Sequence, residues 1–266
     1  VMAAAGLKDF RALVNNRLLI DALLASAGID DIERQKHVLR VIDKRDKVGE
    51  ANVRLELGPG RIDESGDPIP GVDLDSAAID SVLRFIAISG ATRAEVVDNV
   101  AAVLPDSDAA RAAVAQMREL AACLEALGVD EAHAVFDPSL ARGLDYYTGP
   151  VFEMTIPAAP QFGSVMGGGR YDGLVSRFQD VAMPCTGMSV GLDRLLAALA
   201  HLGVTRPRKT VVEVLIVTLG NVPPGEALRV AAELRAANIA TEIFYGSKKK
   251  MKMGNQLSHA DHYAIP

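Results

Sequence analysis

The stretch that decides the fold contains three segments: ARGLDYYTGPVFE at 141–153, VMGGGRYDGLV at 165–175 and PCTGMSVGLDRLLAAL at 184–199. Their β-forming residues, separated by glycine and proline, predict strands at Tyr146–Ile156, Phe162–Met166 and Thr186–Val190. The last strand leads into a helix at 191–203, because the leucines there recur at helical spacing. The sequence therefore predicts consecutive strands that end in a helix.

The residues before these segments are mainly helical. We expect a short strand over 7–14, and the glycines and prolines at 58–72 predict a loop rather than a regular element. A further strand is predicted at His133–Phe136. Apolar residues at helical spacing predict helices at 17–27, 31–50, 75–88, 92–103 and 107–127.

The pattern changes again after the polar, proline-containing link at 205–210, which is typical of a domain boundary. Strands predicted at Val214–Leu219 and 240–245 flank a helix at 225–237, and strands joined in this way run parallel. A last helical pattern begins at Lys248. The end of the chain therefore reads as a small α/β unit.

The composition excludes several classes of protein. The net charge of −6 over 266 residues argues against a globally basic nucleic-acid coat, although local basic patches remain possible. Cys123 and Cys185 are too few and too far apart for a disulfide scaffold or a cysteine-based zinc site, and they fit a reducing compartment. No apolar run approaches the roughly 20 residues that span a bilayer. The five histidines lack metal-ligand spacing, so no metal site is predicted.

The first segment combines Arg142 with Tyr146 and Tyr147. A guanidinium is a planar fork of donors that suits phosphate, and a tyrosine can bind a small polar ligand while its ring walls the ligand off. The alternative is a sheet edge with a surface arginine and core tyrosines.

The other two segments leave similar alternatives. Gly167–Gly169 let the backbone pass close to a ligand or to the chain itself, and they match neither a dinucleotide loop nor a Walker loop; a plain tight turn is the alternative. In the third segment, Gly187, Ser189 and Gly191 leave room for a flat ligand, and Arg194 near a helix N-terminus suits phosphate. An ordinary helix cap with a solvated arginine is the alternative there.

Taken in order, the three segments resemble histidyl-tRNA synthetases, a family of class II aminoacyl-tRNA synthetases. RGLDYYTG followed by VFE is similar to the first histidine-specific motif, and GGGRYDGL is similar to the second. GMSVGLDR followed by LLAAL resembles class II motif 3, with Asp193 where many members carry glutamate. VNNRLLIDALL at 14–24 resembles the entry into the family's inserted domain, and GRIDESGDPIPG at 60–71 resembles a loop of one bacterial branch.

The resemblance implies an α+β fold, with part of a class II antiparallel sheet, helices, a helical insertion and an incomplete α/β anticodon-binding domain. The implied domains are a catalytic core at 1–16 and 128–205, a mainly helical insertion at 17–127, and a truncated anticodon-binding domain at 211–266. Motifs 1 and 2 of the family would lie before Val1. We therefore expect an internal fragment that is inactive by itself.

The resemblance also implies residue roles. Arg142 would be the catalytic arginine at the α-phosphate of ATP, and Arg194 would hold the distal phosphates. Because Arg142 and Tyr147 would face opposite sides of a regular strand, we expect the strand to begin after Gly143. The implied histidine-binding residues are Tyr146, Tyr147, Tyr171, Gly168 and Gly169, and the implied ATP-binding residues are Arg142, Gly187, Ser189, Gly191 and Arg194.

The implied activity is histidine–tRNA ligation, in which ATP and histidine form histidyl-adenylate and histidine then passes to the 3′ end of tRNA(His). The implied substrates and partners are histidine, ATP with bound Mg²⁺, tRNA(His) and a second copy in a homodimer, in the cytoplasm and away from membranes. Basic patches at 206–209 and 248–252 are candidate tRNA contacts, and a solvated helix face is the alternative for the latter.

The alternative function belongs to another class. It is the non-catalytic, synthetase-like regulatory subunit of ATP phosphoribosyltransferase, which typically loses the catalytic arginines and the anticodon-binding domain. Arg142, Arg194 and the α/β unit after residue 211 favour the ligase.

Overall fold

The computed structural model describes residues 1–141, 146–178, 181, 183–205, 209–219, 222–246 and 252–266. They form two compact units, which divide between Val204 and Thr205. The first unit combines a mixed, largely antiparallel sheet with helices, as an α+β fold requires. Within the described residues, no helix is both long and apolar enough to cross a membrane.

The first unit is built on a five-stranded sheet and a separate hairpin. The strands are β1 (Arg11–Asn16), β2 (Gly60–Ile62), β3 (Pro68–Pro70), β4 (Ala134–Phe136), β5 (Pro150–Thr155), β6 (Met166–Tyr171) and β7 (Cys185–Val190). The order across the sheet is β4-β1-β5-β6-β7, with β1 parallel to β4 and the remaining neighbours antiparallel. The hairpin pairs β2 with β3.

The helices predicted at 17–27, 75–88, 92–103, 107–127 and 191–203 are confirmed to within a few residues. The single helix predicted over 31–50 is wrong, because the chain breaks at Lys44 and Gly49 into helices over Ile32–Asp43 and Arg45–Val48 and then forms a further helix over Glu50–Leu57. Most of the helices begin where a short polar side chain accepts a hydrogen bond from a backbone N–H of the first turn, as Asn16, Asp31, Asp75, Thr92 and Ser107 do. The helices are α1 (Arg17–Ser26), α2 (Ile32–Asp43), α3 (Arg45–Val48), α4 (Glu50–Leu57), α5 (Ser76–Ile86), α6 (Arg93–Val103), α7 (Asp108–Ala126) and α8 (Leu192–His201).

One hydrophobic cluster joins the helices to the sheet. It contains buried side chains of α1, α2 and α4 to α7 together with Val14 of β1 and Phe136 of β4. The helical region therefore packs directly on the sheet. A second cluster joins Leu7 and Ile156 to Leu195 and Leu199 of α8, and so holds α8 against the other end of β5.

The prediction of a structureless loop at 58–72 is wrong, because its middle folds into the β2–β3 hairpin. Asp63 organises the turn: its carboxylate accepts hydrogen bonds from the backbone N–H groups of Ser65 and Asp67, both at 2.9 Å. Prolines at both ends of β3 are tolerated because a two-stranded hairpin consists of edge strands.

Three predicted strands of the first unit are displaced. The strand expected over 7–14 begins only at Arg11 and runs to Asn16. Phe162–Met166 is not a strand: Pro160–Phe162 form a 3₁₀ turn, and β6 runs instead from Met166 through the three glycines. The glycines are extended because β5 and β7 hydrogen-bond to β6 on both sides, a tertiary effect that overrides local preference. The strand predicted from Tyr146 begins only at Pro150, and in the loop before it Thr148 donates its N–H to the Arg170 carbonyl at 2.9 Å.

The second unit contains the predicted βαβ arrangement. Strands β8 (Val214–Ile216) and β9 (Thr241–Ile243) are parallel, and helices α9 (Pro224–Ala236) and α10 (Met253–Tyr263) accompany them. Gln256 of α10 is fully buried: it accepts the N–H of Thr218 at 2.8 Å and donates to the carbonyl of Thr218 at 2.7 Å. One amide side chain thus ties α10 to the end of the first strand.

Arg93, the first residue of α6, is 5% exposed and holds the link between α7 and β4. Its guanidinium donates to the carbonyls of Val129 at 2.9 Å, Asp130 at 3.0 Å and Ala134 at 3.1 Å, and it lies 3.4 Å from the Glu131 carboxylate. These bonds are worth more than a surface ion pair because they are buried and charge-assisted.

We expect Arg93→Ala to lower the free energy of unfolding by about 3 kcal/mol, because it leaves the buried carbonyl of Ala134 and two partly buried carbonyls without their charged donor. The matched control is Arg118→Ala, which removes an exposed pair with Asp98 and should cost less than about 0.5 kcal/mol. Urea denaturation followed by far-ultraviolet circular dichroism measures both, and equal losses would contradict the assignment.

Asp130 and His133 form an exposed pair in the same link. His133 Nδ1 lies 2.8 Å from both oxygens of the Asp130 carboxylate, and this bond raises the pKa of His133 and lowers that of Asp130. A raised histidine pKa favours the folded state below the unfolded pKa, and the contribution is lost as pH rises through the folded pKa. The lowered Asp130 pKa acts at the acid end, where its contribution is lost as pH falls.

An NMR titration of the imidazole resonances should therefore place the pKa of His133 above that of an ordinary histidine. Asp130→Asn should bring the pKa of His133 down. A His133 pKa that does not change in Asp130→Asn would show that the pair is not formed in solution.

Candidate functional site

The two faces of the sheet differ in chemistry. Residues paired across neighbouring strands point to the same side, so the register places Leu13, Glu153, Gly167 and Ser189 on one face. Gly169 and Gly187 form the next row of that face. We call this side the glycine face.

Three tyrosines gather over the glycine face. The ring of Tyr146 lies 4.6 Å from that of Tyr147 and 5.9 Å from that of Tyr171, measured between centroids. A Cβ at Gly169 would lie 2.9 Å from two ring carbons of Tyr147, and one at Gly187 would collide with the Tyr171 hydroxyl. The two glycines therefore make room for these two rings. We call Tyr146, Tyr147 and Tyr171 the tyrosine cluster.

A Cβ added at Gly168 would lie on the opposite face of the sheet, away from the tyrosine cluster. A Cβ there would collide with the carbonyl oxygen of Gly187 and lie 2.8 Å from both the Cα of Met188 and the ring of Phe152. The chain itself, rather than a ligand, occupies the space that Gly168 leaves open.

An open cleft of about 780 Å³ adjoins the tyrosine cluster. Ser189, Gly191 and Arg194 line it, as do two of the tyrosines. The Arg194 guanidinium donates to the carbonyl of Ser164 at 2.7 Å, which holds the side chain at the start of α8 while leaving it exposed. The cleft therefore combines small residues with a fixed positive charge, an arrangement suited to a nucleotide.

The helical region supplies the remaining wall of this cleft. Leu39, Arg40, Asp43 and Lys44, from the end of α2 and just beyond it, border the same space. The sequence shows these residues only as part of a charged helical stretch. Their contribution depends on how α2 packs against the sheet, which no local pattern reveals.

A buried side chain of β1 holds the backbone at the edge of the site. Asn15 is 1% exposed, and its amide donates to the carbonyl of Pro138 at 3.1 Å and to that of Leu140 at 2.9 Å. These bonds hold the segment that ends in Ala141, a buried residue of the cleft wall. Arg142 follows next in the chain and lies outside the described residues, as do Arg206–Arg208 and Lys248–Lys250 of the basic patches.

The expected site residues thus fall into two groups. The tyrosine cluster stands with Gly169 and Gly187 beneath it, and Ser189, Gly191 and Arg194 stand in the adjoining cleft. Two expected residues lie elsewhere than expected. Gly168, expected in the histidine site, is on the other face of the sheet, and Gly187, expected in the ATP site, lies beneath Tyr171 and does not border the cleft. The roles of all these residues in binding stay predictions.

A larger groove of about 1260 Å³ lies on the opposite face of the sheet, beside α7. Its floor is mainly apolar, with Ala12, Phe152 and Met154, and none of the tyrosine cluster or Arg194 borders it. The smaller cleft is therefore the better candidate site. Throughout the described part of the chain, no group of three or more His, Cys, Asp or Glu side chains is arranged to hold a metal ion.

The close approach at Gly168 leads to a stability prediction. Gly168→Ala should lower the free energy of unfolding by about 2 kcal/mol or more, because backbone atoms of β7 cannot yield to the added methyl group. Gly173→Ala is the control: a Cβ there meets nothing within 4 Å, so its effect should stay within about 0.5 kcal/mol. Thermal or urea unfolding measures both, and a tolerated Gly168→Ala would refute the packing argument.

Comparison with known proteins gives a consistent result. Residues 1–195 match the family model described as histidyl-tRNA synthetase. The chain is 41% identical over 97% of its length to a histidine–tRNA ligase of Paracoccus denitrificans, and 40% identical over its whole length to that of Caulobacter vibrioides. It covers 53% and 55% of these two proteins, and so spans about half the length of the curated relatives it matches.

A solved structure agrees. The histidyl-tRNA synthetase of a Nostoc species superposes with a TM-score of 0.67 at 28% identity, over 99% of this chain and 58% of that one.

Proposed function

Because the chain belongs to the histidyl-tRNA synthetase family, we propose that the protein activates histidine with ATP and transfers it to tRNA. The observation that carries the proposal is the tyrosine cluster beside a cleft that ends at the Arg194 guanidinium. It offers hydroxyl groups for a small polar side chain next to a positive charge for phosphate. The two reactants of the first step would thus lie side by side.

The tyrosine cluster is our proposed histidine site. In it, a Tyr147 or Tyr171 hydroxyl bonds to an imidazole nitrogen while the rings exclude water. Such a site discriminates strongly, because an amino acid without a polar side chain cannot form the hydrogen bond that the imidazole makes to the hydroxyl. Gly169 and Gly187 support this role, since any larger residue would displace the two rings.

The cleft is the proposed ATP site. Ser189 and Gly191 provide a flat floor for the adenine, and Arg194 binds the distal phosphates. Mg²⁺ enters as part of the MgATP substrate and neutralises phosphate charge. Among the side chains that border the cleft, Asp43 and Asp193 are the carboxylates.

The chemical step forms a bond between a carboxylate oxygen of histidine and the α-phosphorus and breaks the bond to pyrophosphate. Negative charge develops on the α-phosphate oxygens in the transition state. We assign its stabilisation to Arg142, and Asn15 supports this by fixing the backbone that leads to Arg142. In the second step, the 3′-terminal ribose of tRNA(His) attacks the activated carbonyl and releases AMP.

The wider assignments follow from the family and remain part of the proposal. They are a class II catalytic core at 1–16 and 128–205, a helical insertion at 17–127, and an anticodon-binding unit at 211–266. We also propose a homodimer that acts in the cytoplasm. The curated relatives are named as ligases, so the regulatory subunit of ATP phosphoribosyltransferase is not the better-supported alternative.

The full-length protein should catalyse histidine-dependent exchange of pyrophosphate into ATP. Arg142→Ala should lower kcat for this exchange about 100-fold or more, because it removes a fixed charge that acts on the transition state. Radiolabelled pyrophosphate exchange at saturating histidine and ATP measures the effect.

The matched control is Arg118→Ala, on the exposed surface of α7, which should leave the exchange rate within twofold of the unchanged protein. Full activity of Arg142→Ala would remove Arg142 from its assigned role. Absence of histidine-dependent exchange in the unchanged protein would refute the proposed function itself.

A further inference from the structure

Thr148 connects the loop before β5 to both sides of Tyr171. Its backbone N–H donates to the carbonyl of Arg170 at 2.9 Å, and its hydroxyl oxygen accepts the N–H of Asp172 at 3.1 Å. Arg170 and Asp172 are the residues immediately before and after Tyr171. Thr148 itself follows Tyr147 directly, so these two bonds set the distance between the backbones of the two tyrosines.

The Asp172 carboxylate strengthens the same junction. Its two oxygens accept from Arg170 Nε at 3.0 and 3.1 Å, while the backbone N–H of Asp172 donates to the Thr148 hydroxyl. The bond from Arg170 is the largest cause of the lowered pKa of Asp172. Asp172 is therefore charged near neutral pH and connects the first segment to the β6 strand.

Neither Thr148 nor Asp172 borders the cleft. Their effect on a ligand would have to pass through Tyr147 and Tyr171. The spacing of two rings is a sensitive quantity in a small binding site, because a hydroxyl must reach its partner within about 0.3 Å of the ideal hydrogen-bond distance. Thr148 directly follows Tyr147 and is bonded to the residues on both sides of Tyr171. These bonds can therefore control the spacing of the two rings.

We propose that Thr148 and Asp172 are positioning residues that set the separation of Tyr147 and Tyr171 and thereby the affinity for histidine. The proposal rests on the proposed function, since it takes the tyrosine cluster as the histidine site. It predicts an effect on histidine alone. ATP binds against Ser189, Gly191 and Arg194, which these bonds do not touch.

The test compares two changes at Thr148 in the full-length protein. Thr148→Val keeps the shape but removes the hydroxyl, and Thr148→Ser restores it. For Thr148→Val we expect KM for histidine in pyrophosphate exchange to rise about five- to tenfold, because the variant loses the equivalent of one net hydrogen bond. The values of kcat and of KM for ATP should stay within twofold of those of the unchanged protein. Thr148→Ser should return KM for histidine to within twofold of the unchanged protein. Calorimetric binding of histidine gives the same comparison without catalysis.

Two further variants complete the design. Asp172→Asn removes the charge but not the backbone N–H, and should also raise KM for histidine; it replaces Thr148→Val if that variant does not fold. Ser65→Ala is the matched control, because it removes a 2.7 Å hydroxyl–carboxylate bond to Asp63 in the hairpin, away from the tyrosines. It should leave all kinetic constants unchanged.

The outcomes are distinguishable. Three kinetic results for Thr148→Val would overturn the positioning role: an unchanged KM for histidine, an equal rise in KM for ATP, or a fall in kcat alone. Failure of both Thr148→Val and Asp172→Asn to fold would overturn it as well. If the unchanged protein binds histidine but shows no exchange, the proposed activity fails while the calorimetric comparison still decides the role of Thr148. If it binds no histidine, both proposals fail.

Discussion

The site depends on one steric constraint, the absence of side-chain carbon along the centre of β6 and at Gly187 of β7. Backbone atoms of β7 and the ring of Phe152 crowd Gly168 from one side of the sheet, and the ring of Tyr147 covers Gly169 from the other. Any Cβ at these positions would separate the strands or displace the ring, so strand pairing and tyrosine placement have a common cause. The glycines are needed first for the packing of the strands and rings. That packing then fixes the positions of the tyrosines, and these positions define the candidate ligand site.

Buried polar side chains connect the sheet to other segments of the first unit by hydrogen bonds. Asn15 and Asn16 are adjacent and both buried, yet they act in opposite directions. Asn15 holds the backbone at Pro138 and Leu140 beside the cleft, whereas Asn16 caps α1 and donates to Gln116 of α7 at 3.0 Å. Each bond is modest alone, but a buried donor left without its acceptor costs more than the bond contributes, and this asymmetry enforces the arrangement.

Most of the helical part of the fold was predictable from the chain itself, although the breaks at Lys44 and Gly49 and the helix α4 were not, and the sheet was predictable only in part. Helices such as α5 and α7 carry their own signals, an apolar stripe with a capping residue at the start, and these signals are local. The boundaries of β6 were not predictable, because three glycines favour a turn until two neighbouring strands pair with them. The hairpin at 60–70 was missed for a related reason, since its prolines and glycines also occur in irregular loops.

The sequence by itself determined the family, most of the helices and the types of side chain available for chemistry, because motifs and helical periodicity can be recognised within short stretches of sequence. Tertiary structure alone decided which of those residues meet. It brought α2 to the cleft that Arg194 borders, separated Gly168 from Gly169 onto opposite faces, and linked Thr148 to the residues on either side of Tyr171. The physical reason is that strand register and helix packing are settled by contacts between distant segments, and a shift of one residue would turn every side chain of β6 to the other face.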